Sequence, residues 1–247
     1  MLNENEAHVW IVRAEQISSP SWTHACNKVL VQEERARMEK FVRARDRQNF
    51  MIARGLTRIA LTGCMPSVAP QAWRFRQTRH GRPEVAQPAS KTPLRFNISH
   101  TQDLIALVIV SGLDCGIDVE RIDGKVKVSE LSPHVLSHNE QHHLSGLPDE
   151  YQTTDFFRYW TLKEAYTKAI GLGLSFPFDA LEFDLTLAPA ALVSHAGNNQ
   201  NGHWQFEQWF ASHEHLLALA IRHDHTIGRH IIRLHDSPTI QTIRSML

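Results

Sequence analysis

"ISHTQDLIALVI", residues 98–109, and "ASHEHLLALAI", residues 211–221, are close to the same phrase once one residue is skipped. Upstream of each lies a second echo. "IARGLTRIA" (52–60) aligns with "LKEAYTKAI" (162–170) without a gap, setting Arg54 against Glu164 and Arg58 against Lys168. An amphipathic helical segment followed by a hydroxyl–imidazole step and an apolar strand therefore occurs twice. This repetition predicts an internal duplication, with two similar α/β halves covering residues 1–112 and 113–247 and a ligand cleft where they meet.

The remaining elements fit around those echoes. "HVWIVRA" alternates as a strand, and residues 26–41 carry helical spacing with Val29, Leu30, Met38 and Phe41 as core positions. "DRQNFMIARGLTRIALTG" reads as a second helix closed by Gly63. "WRFRQT", "LRFNIS" and "DLIALVIV" read as strands, with "RHGRPEV" as a turn, and "CGIDVE" is a further strand. The second half has a charged helical stretch, "SELSPHVLSHNEQHHLSGL", and a longer helix, "TTDFFRYWTLKEAYTKAIGLG". Strands follow at "LEFDLTL", "HWQFEQWF" and "HLLALAIRH".

Composition narrows the function classes. The 26 basic and 26 acidic residues cancel, so no global charge favours nucleic acid or an anionic membrane, and any anion site must be a local cluster. Three unpaired cysteines give no disulfide framework. The polar, acidic start lacks the pattern of a secretory signal, and no apolar run approaches the roughly 20 residues of a membrane span, so a cytoplasmic protein is expected. Sixteen histidines raise a zinc reading, but neither "SHNEQHH" nor "HEHLLALAIRHDH" has the HExxH spacing that puts two ligands on one helical face.

The chemistry concentrates in "CGIDVE", residues 115–120. Side chains on a strand alternate, so Asp118 and Glu120 project together while Ile117 and Val119 face the core. Two neighbouring carboxylates cannot both ionise cheaply, and a hard cation such as Mg²⁺ or Mn²⁺ removes that cost. On the long helix Glu164 and Lys168 are one turn apart, with Trp160 one turn below. A glutamate beside a buried tryptophan needs a partner, and a third metal ligand fits that need. The first half carries an anion-binding counterpart. Arg82 sits in the tight turn "GRP", Arg54 interrupts an apolar helical face, and "NISH" ends a strand with Ser99 and His100. Guanidinium forks and hydroxyls suit phosphate oxygens. Acidic side chains in one half and these four in the other predict a metal-bridged polyphosphate ligand across the cleft.

The order "GRP … FNISHT … GIDVE … WTLKEAYTKAIGLGLS" resembles the 4′-phosphopantetheinyl transferases, specifically the larger, surfactin-synthetase-activator type, from about Arg37 to Leu181. The resemblance implies two α/β halves about a pseudo-twofold axis. It also implies transfer of the phosphopantetheine arm of coenzyme A to a serine of an acyl or peptidyl carrier protein, with release of adenosine 3′,5′-bisphosphate. Matched by position, Asp118 and Glu120 are the metal pair, and Glu164 completes the site or acts as base. Lys163 and Lys168 lie near the diphosphate, and Arg54, Arg82, Ser99 and His100 hold the nucleotide end of coenzyme A. Glu140 is a looser match to an acidic residue near the metal. The carrier partner is expected to be small and acidic, facing "RIDGKVKVSEL", and a monomer should suffice, without nucleic acid or membrane. The residues alone also allow a coenzyme A- or carrier-binding module without catalysis, or a metal-dependent pyrophosphohydrolase. The complete acidic set disfavours the former, and the absence of a denser glutamate-rich helix disfavours the latter.

Overall fold

The computed structural model describes residues 2–101, 103–195, 203–223 and 228–246. In chain order its elements are β1 (Glu6–Arg13), α1 (Ala14–Ser18), α2 (Pro20–Val29), α3 (Gln32–Met38), α4 (Ala44–Cys64), β2 (Arg74–Gln77), β3 (Pro83–Gln87), β4 (Leu94–His100) and β5 (Leu104–Ser111). There follow β6 (Cys115–Arg121), α5 (Val128–Val135), α6 (His138–Ser145), α7 (Asp149–Ala169), β7 (Leu181–Asp184), β8 (Ala191–His195), β9 (His203–Ser212), β10 (His215–His223), β11 (Ile231–Asp236) and α8 (Ile240–Arg244). The class is mixed α/β, as expected.

The chain divides into two compact units. The first comprises Met1–Gln77, Pro83–Gly112 and Ile231–Leu247; the second comprises Thr78–Arg82 and Leu113–His230. The middle segment of the first unit ends at Gly112, and the main segment of the second begins at Leu113. The tail departs from the expected 113–247 half, because β11 pairs in parallel with β1 from Glu6↔Ile231 to Ile11↔Asp236 and so belongs to the first unit.

In the first unit the sheet runs β11-β1-β5-β4, with β2 and β3 forming a separate hairpin. The middle strand β5 is a continuous apolar run, Leu104 to Val110, buried on both faces. The helix α4 packs against it, with Ile52, Leu56 and Ile59 fully buried at helical spacing. Each such aliphatic side chain contributes roughly 1.5–3 kcal/mol relative to exposure. Gly63 does not close α4, which runs to Cys64. It makes room instead for the Met246 side chain, 3.1 Å from where a Cβ would stand. The helix read over residues 26–41 is two helices: α2 ends at Val29 and α3 restarts at Gln32, with Leu30 and Val31 extended between them.

The second unit holds the sheet β6-β10-β9 and the β7-β8 pair. The antiparallel β9–β10 hairpin carries the later echo, as β4–β5 carries the earlier one. The long helix α7 covers β6 and β10 and is buried on most of its circumference, with Phe156, Leu162, Ala165, Tyr166 and Ala169 in the core. The charged stretch before it is also two helices. The second starts at a reciprocal cap in which the Glu140 amide donates to Ser137 Oγ at 3.3 Å and the Ser137 amide donates to Glu140 Oε2 at 2.8 Å. No helix among the described residues is long and apolar enough to cross a membrane.

Candidate active site

Strand β6 and helix α7 build the acidic part of the site. Ile117 and Val119 are buried on one face of β6, and Asp118 is buried on the other at 2 % exposure. Gly116 lies on the Asp118 face, where an added methyl would overlap the Ala165 carbonyl and approach the Ala169 amide at 2.6 Å. This glycine lets the α7 backbone sit directly on the strand. That close approach brings Asp118 and Glu120 against the face of α7 that carries Trp160, Glu164 and Lys168.

The contacts are specific. Lys168 Nζ donates to Asp118 Oδ1 at 2.5 Å and lies 3.6 Å from Glu164 Oε2. The Trp160 indole donates to Glu120 Oε1 at 3.3 Å, its ring packed near Phe156 and Phe178. Burial, then the charge of Asp118, pushes Glu120 up to about 7. Glu164 is also raised, by burial first and by Asp118, against the opposing pull of Lys168. Burial works against the Lys168 ammonium, but Asp118 and Glu164 outweigh it and hold the pKa above the usual lysine value.

Three carboxylates against one ammonium leave surplus negative charge in a largely buried place, and their hard oxygens suit Mg²⁺ or Mn²⁺. By donor chemistry Asp118, Glu120 and Glu164 therefore fit a divalent cation. Among the described residues no group of three or more His, Cys, Asp or Glu side chains is already arranged to hold a metal.

Lys163 departs from its expected place at the diphosphate. Its side chain has no exposed surface, and Nζ donates to the carbonyls of Val135 at 2.7 Å, Leu181 at 2.8 Å and Phe178 at 3.0 Å, and to Glu140. A phosphate has no route to an ammonium so enclosed. Glu140 is 1 % exposed and accepts from the Ser137 and Phe183 amides as well as from Lys163, so its oxygens are engaged in holding α6, α7 and β7 together.

The basic residues separate in the same way. Arg54 lines a cavity of about 380 Å³ in the first unit, together with Arg37, Arg74, Arg76, Phe50 and Phe75. Its guanidinium lies over the rings of Phe50 and Phe75 and makes no ion pair among the described residues. Burial lowers its pKa; the charge of Glu34 opposes that shift, and Arg37 and Arg58 add to it. Arg58 is held by Glu34 at 2.8 Å and by the Pro70 and Trp73 carbonyls. His100 lines an adjoining cavity of about 310 Å³ that Arg37, Phe50 and Arg54 share. Ser99, next along β4, faces the opposite side and is buried. Arg82 stands in the second unit, donating to Asp114 Oδ1 at 3.0 Å and to the Ala169 carbonyl at the end of α7. Arg37, Arg74 and Arg76 were not singled out from the sequence. The signal available was "WRFRQ", whose alternation puts Arg74 and Arg76 on one side of β2.

Residues 114–220 match the 4′-phosphopantetheinyl transferase superfamily, and residues 16–111 match the family described as 4′-phosphopantetheinyl transferase, N-terminal. The 4′-phosphopantetheinyl transferase HetI of Nostoc sp. is 32% identical over 185 residues, covering 75% of this chain and 76% of its own. The human L-aminoadipate-semialdehyde dehydrogenase-phosphopantetheinyl transferase is 30% identical over 206 residues, 77% of this chain and 66% of that protein. Among solved structures, a holo-(acyl-carrier-protein) synthase from Bacillus anthracis in complex with CoA (3′,5′-ADP) aligns with a TM-score of 0.38 at 21% identity, covering 44% of this chain and 94% of that one. With both units matched in sequence and a relative at 32% identity spanning three quarters of each chain, this chain belongs to the 4′-phosphopantetheinyl transferases.

Proposed function

We propose that this transferase, of the larger surfactin-synthetase-activator type, moves the phosphopantetheine arm of coenzyme A onto a serine of an apo acyl or peptidyl carrier protein, releasing adenosine 3′,5′-bisphosphate. The observation that carries this reading is the convergence of Asp118 and Glu120 from β6 with Glu164 and Lys168 from α7. Such a cluster suits a diphosphate and its cation. The nucleophile is the partner's serine, so the chain itself requires none: a serine oxygen–phosphorus bond forms as the bridging phosphorus–oxygen bond of the diphosphate breaks.

Asp118, Glu120 and Glu164 would hold Mg²⁺, or Mn²⁺, which when bound supplies neutralisation of charge on the leaving phosphate. Lys168 adds a mobile ammonium for the same oxygens. Lys163 acts only by fixing α7. Arg54, with Arg37 and His100 around the shared cavity, takes the nucleotide end, including the 3′-phosphate. Arg82 orders the end of α7 through Asp114 and Ala169. Lys125 and Lys127, both exposed, suit an acidic carrier, since the Lys127–Glu130 pair is itself solvent-exposed and contributes little. One chain carries every one of these groups, so a monomer suffices.

The direct test incubates the full chain with coenzyme A, Mg²⁺ and an apo carrier domain and weighs the carrier. Gain of the phosphopantetheine mass supports transfer. Loss of coenzyme A without that gain supports hydrolysis, and no change in either leaves a binding module. A sharper prediction concerns Arg54→Ala. Losing a charge-assisted hydrogen bond costs about 1.5–3 kcal/mol, which corresponds to roughly 10- to 100-fold weaker binding of coenzyme A. Dephospho-coenzyme A, which lacks the 3′-phosphate, should lose much less. Titration calorimetry with both ligands checks this, and equal losses would remove Arg54 from the 3′-phosphate.

A further inference from the structure

Resting on the cation reading above, we infer that Lys168 occupies the cation's place in the unliganded protein, so that the metal site opens only when a phosphate anion draws this lysine off Asp118. The ammonium is 2.5 Å from Asp118 Oδ1 and 3.6 Å from Glu164 Oε2, and both belong to the three carboxylates assigned to the cation. An ammonium and a divalent cation compete for these carboxylates, and their like charges make each lower the other's affinity for the cluster.

The two partners differ in freedom to move. Asp118 is 2 % exposed and stands on a strand whose ladder pairs it with Ala218 of β10. The Lys168 side chain is 25 % exposed and sits at the end of a flexible four-carbon stem. Lys163, five residues earlier, has no exposure and three carbonyl partners besides Glu140, so it cannot swing. Lys168 is therefore the more mobile of the two lysines, and an anion arriving from solvent can draw it off Asp118. The diphosphate of coenzyme A is such an anion. Its arrival exchanges one pairing for another: the ammonium moves to phosphate oxygens, and the vacated carboxylates receive the cation. The acidic cluster thus keeps a cationic partner both before and after binding, the divalent ion offsetting more of its charge than the single ammonium does. Coenzyme A and the cation are thereby coupled positively, and linkage makes the coupling reciprocal.

The test measures Mn²⁺ binding to the full chain by the electron paramagnetic resonance signal of the free ion, with and without coenzyme A, correcting for Mn²⁺ bound by coenzyme A alone. Wild type should bind Mn²⁺ about 10-fold or more tightly when coenzyme A is present. Lys168→Met, without coenzyme A, should bind Mn²⁺ about 10-fold more tightly than wild type without coenzyme A, and Asp118→Asn in that background should abolish the gain. Lys168→Gln repeats the measurement with a polar side chain, and Lys168→Arg, which keeps the charge, should behave as wild type. If wild type shows an Asp118-dependent Mn²⁺ site with coenzyme A but Lys168→Met and Lys168→Gln bind no more tightly than wild type without it, the lysine does not occupy the site and the inference falls alone. If no Asp118-dependent Mn²⁺ site exists in either protein even with coenzyme A, the cation reading itself falls.

Discussion

Glu164→Gln is expected to lower kcat/KM for carrier modification by roughly 10²–10³-fold while leaving the fold as stable as before or slightly more so. The loss follows from removing one preorganised charge of an electrostatic site, for which that magnitude is usual. The stability side follows from the environment of Glu164. Burial and Asp118 raise its pKa above that of a free glutamate, so the fold disfavours its charged form. A carboxyl shifted upward contributes stability below its unfolded pKa and forfeits it as pH rises through the folded value. At neutral pH in the absence of metal the charge is therefore a net cost, and an isosteric amide relieves it. Lys168 remains paired with Asp118 in the variant. Carrier mass measures transfer, and thermal melting without metal measures stability. Near-normal turnover would remove Glu164 from the mechanism. A melting point several degrees below wild type would make it a structural residue.

Lys163→Met is expected to have the reverse profile. Removing the ammonium leaves Glu140 buried without its ion partner and strands the Val135, Phe178 and Leu181 carbonyls. Breaking a buried pair by deleting one member costs about 3–5 kcal/mol. For a chain of this length that corresponds to a Tm lower by roughly 6–20 °C. Glu140→Gln in the same background should recover part of the loss, because no isolated charge then remains buried. Turnover per folded molecule should stay close to wild type, measured well below the new Tm. A variant that melts like wild type yet transfers nothing would return Lys163 to the catalytic machinery.

The contrast between these two neighbouring positions marks how far the sequence could be read. The period of two in "CGIDVE" and the four-residue step from Glu164 to Lys168 follow from backbone geometry, and each pair does share a face. Lys163 and Lys168 are equally basic and lie on one helix, but five residues rotate the direction by about 140°, so they cannot point the same way. Which lysine meets the carboxylates depends on how α7 is rolled onto β6, and Gly116 with the Lys163–Glu140 tether governs that roll. Arg54 and Arg82 teach the same lesson. Both are arginines whose sequence settings suggest phosphate binding, but one lines a cavity with its guanidinium over two phenyl rings and the other is bound to an aspartate and a helix-end carbonyl.

Local pattern also left the tail unread. "IIRLHD" is half exposed and lacks clean alternation, and only its parallel pairing with β1 makes it a strand of the first unit. What the sequence determined alone was the mixed α/β class, the repeated helix–strand phrase and the resemblance to the 4′-phosphopantetheinyl transferases. Periodicity and side-chain chemistry act over a few residues and suffice for those. What the tertiary structure decided was which charged side chains face one another and which are consumed holding the fold together. Burial and ion pairing are properties of neighbours distant in sequence, and no local rule supplies those neighbours.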